Sequence, residues 1–105
     1  METKNKIFVY TEVQISVPFE SVPWKEINEK LLKVKGLVRK TWLSGVKSNS
    51  VGGLYEFDSL ENAQNFAWNI FPSEPRALGA SFMTKIFDGN VSEEASREMK
   101  SPHYE

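Results

Sequence analysis

The sequence predicts an α+β domain of the ferredoxin-like kind, β-α-β-β-α-β, and three observations carry that prediction. Apolar residues recur every second position in four segments and at helical spacing in two others, in that order along the chain. Two of the alternating segments, residues 36–42 (GLVRKTW) and 52–57 (GGLYEF), lie close enough to be joined by one tight reversal. Gly36, Pro72 and Gly79 stand where the period changes. Right-handed crossovers then place both helices on one face of a four-stranded antiparallel sheet.

Each element has its own local reason. Over residues 6–17, Ile7, Val9, Val13, Ile15 and Val17 alternate with mostly polar neighbours, a half-buried strand interrupted at Thr11. Ser21 is placed to cap a helix with Pro23 in its first turn, and Trp24, Ile27, Leu31 and Val34 form its stripe until Gly36. The hairpin follows, turned by Lys47, Ser48, Asn49 and Ser50. Pairing Val46 with Val51 sets Ser44 opposite Gly53, Trp42 opposite Tyr55 and Lys40 opposite Phe57. One hairpin face is then aromatic, while Arg39, Thr41, Leu43, Leu54 and Glu56 share the other. Asp58 or Ser59 caps a second helix with Leu60, Ala63, Phe66, Ala67 and Ile70 on one stripe, stopped at Phe71-Pro72. A helical turn over 73–78 ends at Gly79, residues 80–87 (ASFMTKIF) form the last strand, and Asp88-Gly89-Asn90 makes a turn. The domain is expected to span residues 1–90. Residues 91–105 form a tail in which Ser92 caps a short helix and 101–105, with His103, stay loose.

Composition narrows the function classes. A chain of 105 residues makes one domain with one modest core. Thirteen basic against fourteen acidic residues, with no basic stripe interleaved with aromatics, exclude a nucleic-acid footprint. No apolar run approaches a membrane span and the first residues lack a signal-peptide layout, so the expected location is cytoplasmic. With no cysteine and one histidine, disulfides, thiol catalysis and the usual zinc or iron ligand sets are not expected; the metal and cofactor expectation is none. Several strands carry apolar residues on both faces, such as Ile7 with Phe8, Val9 with Tyr10 and Ile86 with Phe87. A face left bare by the helices needs a cover, and a homodimer packed sheet to sheet is the expected one.

Three motifs lie in order on these strands: G-hydrophobic-x-x-K-x-W at 36–42, GG-hydrophobic-Y-x-F at 52–57, and K-hydrophobic-F-D at 85–88. With them the chain resembles, over roughly residues 6–90, the YdhR-like monooxygenases within the dimeric α+β barrel group that includes the antibiotic-biosynthesis monooxygenases. It differs from that pattern over residues 71–75, which are longer and richer in proline. The resemblance implies the ferredoxin-like fold, a dimeric α+β barrel, and oxygenation without a bound cofactor.

Triplet oxygen needs a one-electron donor, and without metal or flavin only a deprotonated phenol or hydroquinone can be one. Such a protein must hold a flat aromatic molecule, take its proton and exclude water. Trp24, Trp42, Phe57 and Trp68 are the candidate substrate-binding walls, and Tyr55 and Lys40 the candidate catalytic groups, with Glu56 a further polar choice. The same residues have structural readings. Trp42 and Tyr55 can brace the sheet, Trp24 falls on a core stripe, Trp68 lies off its helix stripe at a rim, Lys40 can snorkel over Phe57, and Arg39 and Glu56 can pair across the hairpin. Two other functions suit the same frame: a non-catalytic small-molecule-binding or stress-response barrel, and an isomerase or cyclase acting on a lactone or polyketide.

Overall fold

The computed structural model describes residues 5–104. In chain order it holds β1 (Ile7–Gln14), α1 (Trp24–Leu31), β2 (Leu37–Ser44), β3 (Ser50–Phe57), α2 (Leu60–Asn65), α3 (Ser73–Ala77), β4 (Phe82–Asp88) and α4 (Glu93–Glu98). The strands form one antiparallel sheet in the order β2-β3-β1-β4, the ferredoxin-like arrangement expected. Among the described residues no helix is long and apolar enough to cross a membrane.

Strand β1 is continuous, so Thr11 does not interrupt it. Its β-branched side chain points inward with Ile7 and Val9 and is buried between Gly53 on β3 and Thr84 on β4. The hairpin register is displaced by two residues from the one expected: Ser44 faces Val51, Trp42 faces Gly53, and Lys40 faces Tyr55. The cause is the turn. Residues 45–49 form a longer connection in which Lys47 and Asn49 take positive φ (58° and 50°) and Gly45 N–H donates to Ser50 O at 2.9 Å. An even displacement leaves every side chain on its expected face. Val38 is bulged between the pairs Leu37–Phe57 and Arg39–Glu56, which reverses the alternation and turns Leu37 toward the core. Gly36 enters the strand at φ +83°, where a side chain would also collide with Asn62 and Asp58.

Helix α1 begins after Pro23; Ser21 sits in a 3₁₀ turn, Phe19–Ser21, and caps nothing. The helix leans on the core through Leu31 and Val34 at the far end of its stripe, so Trp24 is 37% exposed and not a core residue. Helix α2 is capped as expected, with Ser59 Oγ accepting from Asn62 N–H at 3.1 Å. It continues as a π-helical turn, Phe66–Ile70, closed by Phe71 N–H donating to Phe66 O at 2.8 Å. The extra residue in that turn rotates the stripe: Phe71 packs on the core while Ile70 turns outward. The core is Ile7, Val9, Tyr55, Phe57, Ala63, Phe66 and Ala67, with the Phe66 ring 4.7 Å from Tyr55 and 5.4 Å from Phe57. All of it lies on the helix side of the sheet.

The tail departs from expectation. Ser92 precedes α4 without a side-chain cap bond, and Asp88 Oδ1 accepts from Asn90 N–H (2.9 Å) and Val91 N–H (3.3 Å) instead. Residues 101–104 are not loose. The 3₁₀ turn Pro102–Tyr104 lies on the outer face of the sheet, with Tyr104 buried, its hydroxyl donating to Gly89 O at 2.7 Å. The Phe8 ring meets His103 edge-on at 5.2 Å and Tyr104 at 6.3 Å. An aromatic ring that finds both an apolar floor and a backbone acceptor gains enough to order a chain end.

Candidate functional site

On the helix-facing side of the hairpin, the pairs Lys40–Tyr55 and Trp42–Gly53 form a small square of side chains. The Lys40 ammonium sits 3.0 Å from the centroid of the Trp42 ring and 4.8 Å from that of Tyr55. The absent side chain of Gly53 makes this possible: a Cβ there would come within 2.6 Å of Lys40 Cε and 3.2 Å of Tyr55 Cε1. The indole is held in turn, its Nε1–H donating to Asn28 Oδ1 on α1 at 2.9 Å and its ring T-shaped to the Phe19 ring at 5.7 Å.

Among the described residues no carboxylate pairs with Lys40, nor does it donate a hydrogen bond to another side chain. Burial pushes its amine down to about 7. The two ring faces attract the ammonium by about 0.5–2 kcal/mol and resist that shift without cancelling it. Burial acts the opposite way on the Tyr55 phenol, pushing it up to about 12; the charge of Glu74 adds to this and the Thr11 hydroxyl pulls partly back. At neutral pH, therefore, Lys40 can take or release a proton while Tyr55 keeps its own and can only donate a hydrogen bond. Thr84 Oγ1, across β1 from Gly53, is buried without a hydrogen-bond partner on the same side of the sheet.

A concavity separate from this cluster lies between β1, β4 and α2. It encloses about 470 Å³ and is lined by Ile7, Leu60, Gln64, Trp68 and Ile86, with Asn5, Asp88 and Asn90 at its polar end. Leu60, Gln64 and Trp68 recur every fourth residue along the helix flank beside the core stripe, so Trp68 is exposed (58%) yet forms a wall.

The six candidate residues thus do not share one pocket. The structure brings Lys40, Trp42 and Tyr55 together and puts Trp68 in the separate cleft. Phe57 is fully buried against Phe66, and Trp24 stands on the surface with the Lys25 ammonium 5.5 Å from its ring. Glu56 points to the outer face, where Lys6 (3.4 Å), Arg39 (3.5 Å) and His103 (3.4 Å) surround it. Lys40 meets Trp42 and Tyr55 in place of Phe57, a consequence of the displaced register. Sequence reasoning did not find Asn28, Phe19 or Gln64; Gln64 had a visible signal, standing four residues before Trp68 on the same helix flank. Among the described residues no three His, Asp or Glu side chains converge as a metal-binding set.

No protein-family model and no curated protein matches the sequence. Among solved structures, the chain is similar to SnoaB, a cofactor-independent oxygenase from Streptomyces nogalater. The TM-score is 0.54 and the identity 21%, over 81% of this chain and 92% of that one. A protein from Shewanella oneidensis aligns at TM-score 0.43 and 11% identity, over 81% of this chain and 91% of that one. The likeness to SnoaB establishes the four-stranded α+β fold.

Proposed function

We propose that the protein is a cofactor-independent monooxygenase of the antibiotic-biosynthesis type, YdhR-like in subfamily, acting in the cytoplasm on a small phenol or hydroquinone. One observation carries the reading: a lysine amine held against two ring faces, with no carboxylate among the described residues beside it, on the strand pair that has Tyr55 as a fixed donor. The SnoaB likeness supports it at the level of fold.

The chemistry follows from the two groups. Lys40 in its neutral form takes the phenolic proton; Tyr55 O–H donates to the oxygen that becomes negative. A phenol near 10 giving its proton to an amine near 7 is uphill by about 4 kcal/mol. A hydrogen bond to the charged oxygen returns about 1.5–3 kcal/mol, and the new ammonium beside it supplies more in a water-poor site. The phenolate then passes an electron to oxygen directly. In the net reaction one oxygen atom enters a ring carbon, and the other leaves as water with two substrate hydrogens, giving a quinone.

A homodimer belongs to this proposal. Leu43, Met83 and Phe87 stand exposed on the outer face of the sheet, beside the part that the Pro102–Tyr104 turn covers, and a second copy packed there would bury them. Oxygen uptake over a panel of hydroxylated naphthalenes and anthracenes tests the function. Wild type should exceed the buffer rate for at least one compound, Lys40→Met should abolish the excess, and Tyr55→Phe should lower it about 100-fold. Binding of the panel without uptake by wild type would put the non-catalytic reading in its place.

A further inference from the structure

We propose that Lys40 is a carbonyl-capturing amine, forming an imine with a small aldehyde or ketone that carries a flat apolar body. Three features of its surroundings suit that step. The stem is held over Gly53, which directs the amine to a defined place on the hairpin. The rings of Trp42 and Tyr55 flank the nitrogen, and the half-exposed Trp42 ring gives a flat apolar surface beside it. No carboxylate among the described residues holds the amine as a permanent ion pair, in contrast to Lys6 with Glu56 and Lys30 with Glu74.

The proton balance favours the attack. Burial brings the Lys40 amine down to about 7, so roughly half of it is neutral at neutral pH. An ordinary lysine near 10.4 is neutral only about once in 10³ at that pH. The nitrogen lone pair adds to the carbonyl carbon and the proton it sheds passes to the former carbonyl oxygen, giving a carbinolamine. That oxygen leaves as water with a second proton, supplied by solvent, and the C=N bond forms with loss of the remaining N–H proton. One carbonyl and one amine give one imine and one water, with no oxidation or reduction.

The inference does not rest on the oxygenase reading, and its test uses no oxygen. Wild-type protein is incubated anaerobically at pH 7 with benzaldehyde and sodium cyanoborohydride, whose hydride reduces the imine to a stable benzylamine, and the labelled residues are located by peptide mapping. Lys40 should be labelled at least about ten-fold faster than the exposed Lys33, Lys35 and Lys47. Mapping separates it from the α-amino group of the chain. Its labelling rate should level off above pH 8 while theirs keeps rising toward pH 10. Gly53→Ala, whose new methyl group would displace the Lys40 stem, should remove the preference without removing the other labels. Labelling of Lys40 in wild type at or below the rate of the exposed lysines overturns the proposal, whatever the oxygen assays show.

Discussion

Tyr55 and Glu56 are neighbours on one strand facing opposite sides of the sheet, with Glu56 itself buried on one side and the half-buried Lys40 beside Tyr55 on the other; the two settings are built in opposite ways. On the outer face Glu56 is 4% exposed and meets three partners, the cations Lys6 and Arg39 and the His103 ring, from three parts of the chain. On the inner face Lys40 lies against Tyr55 and Trp42 with no described carboxylate in reach. A buried charge that is compensated holds structure together; one that is left uncompensated gives up its charge readily and becomes available for chemistry. The contrast sets a carboxylate ringed by partners, Glu56, against a lysine with no described carboxylate beside it, Lys40.

The largest expected effect is on the outer face. Glu56→Gln keeps the shape but takes the negative charge away from Lys6 and Arg39, and should lower the folding free energy by about 2–4 kcal/mol in urea titration. A loss under about 0.5 kcal/mol would mean that the outer cluster is no more structural than a surface pair.

The inner face should respond to pH. In the folded chain Lys40 is lowered to about 7 from an ordinary value near 10.5, so between these limits the unfolded state binds more protons. Stability should therefore rise as pH rises from 7 to 10, by about 1–3 kcal/mol after allowance for partial solvent screening. Lys40→Met should flatten that rise and leave the protein more stable than wild type at pH 7. A flat wild-type profile would show that Lys40 is solvated and that the two faces do not differ as described.

Smaller changes sharpen the comparison. Tyr104→Phe removes the hydroxyl that donates to Gly89 O, and should cost about 1 kcal/mol in the thermal or urea midpoint, because the acceptor stays buried. Amide exchange should find Tyr104 protected and slow with the rest of the outer face. The smallest effect is that of Tyr55→Phe, at most about 1 kcal/mol in stability, since its ring packing against Phe66 is kept. Its effect on oxygen uptake, by contrast, is the larger one.

Which side of the sheet most strand residues take was legible in the chain alone, because side-chain alternation is a local property with a period of two; Leu37, beyond the Val38 bulge, is the exception. It set Lys40, Trp42 and Tyr55 together on one face and Arg39 and Glu56 on the other, and the displaced register left that division intact since the displacement was even. The order of strands and helices was legible for the same local reason, as were the Ser59 cap and the stop at Gly79. Which partner stands opposite which was not. That depended on a five-residue turn with two positive-φ residues and on the bulge at Val38, conformations that several sequences of this composition can adopt and that packing selects. Tertiary structure alone decided that Trp24 would face water, that residues 101–104 would close over Glu56, and that Lys40 would be desolvated while Glu56 was paired. Burial and Coulomb attraction are sums over neighbours, and the neighbours of Glu56 come from positions 6, 39 and 103, which only the folded chain brings together.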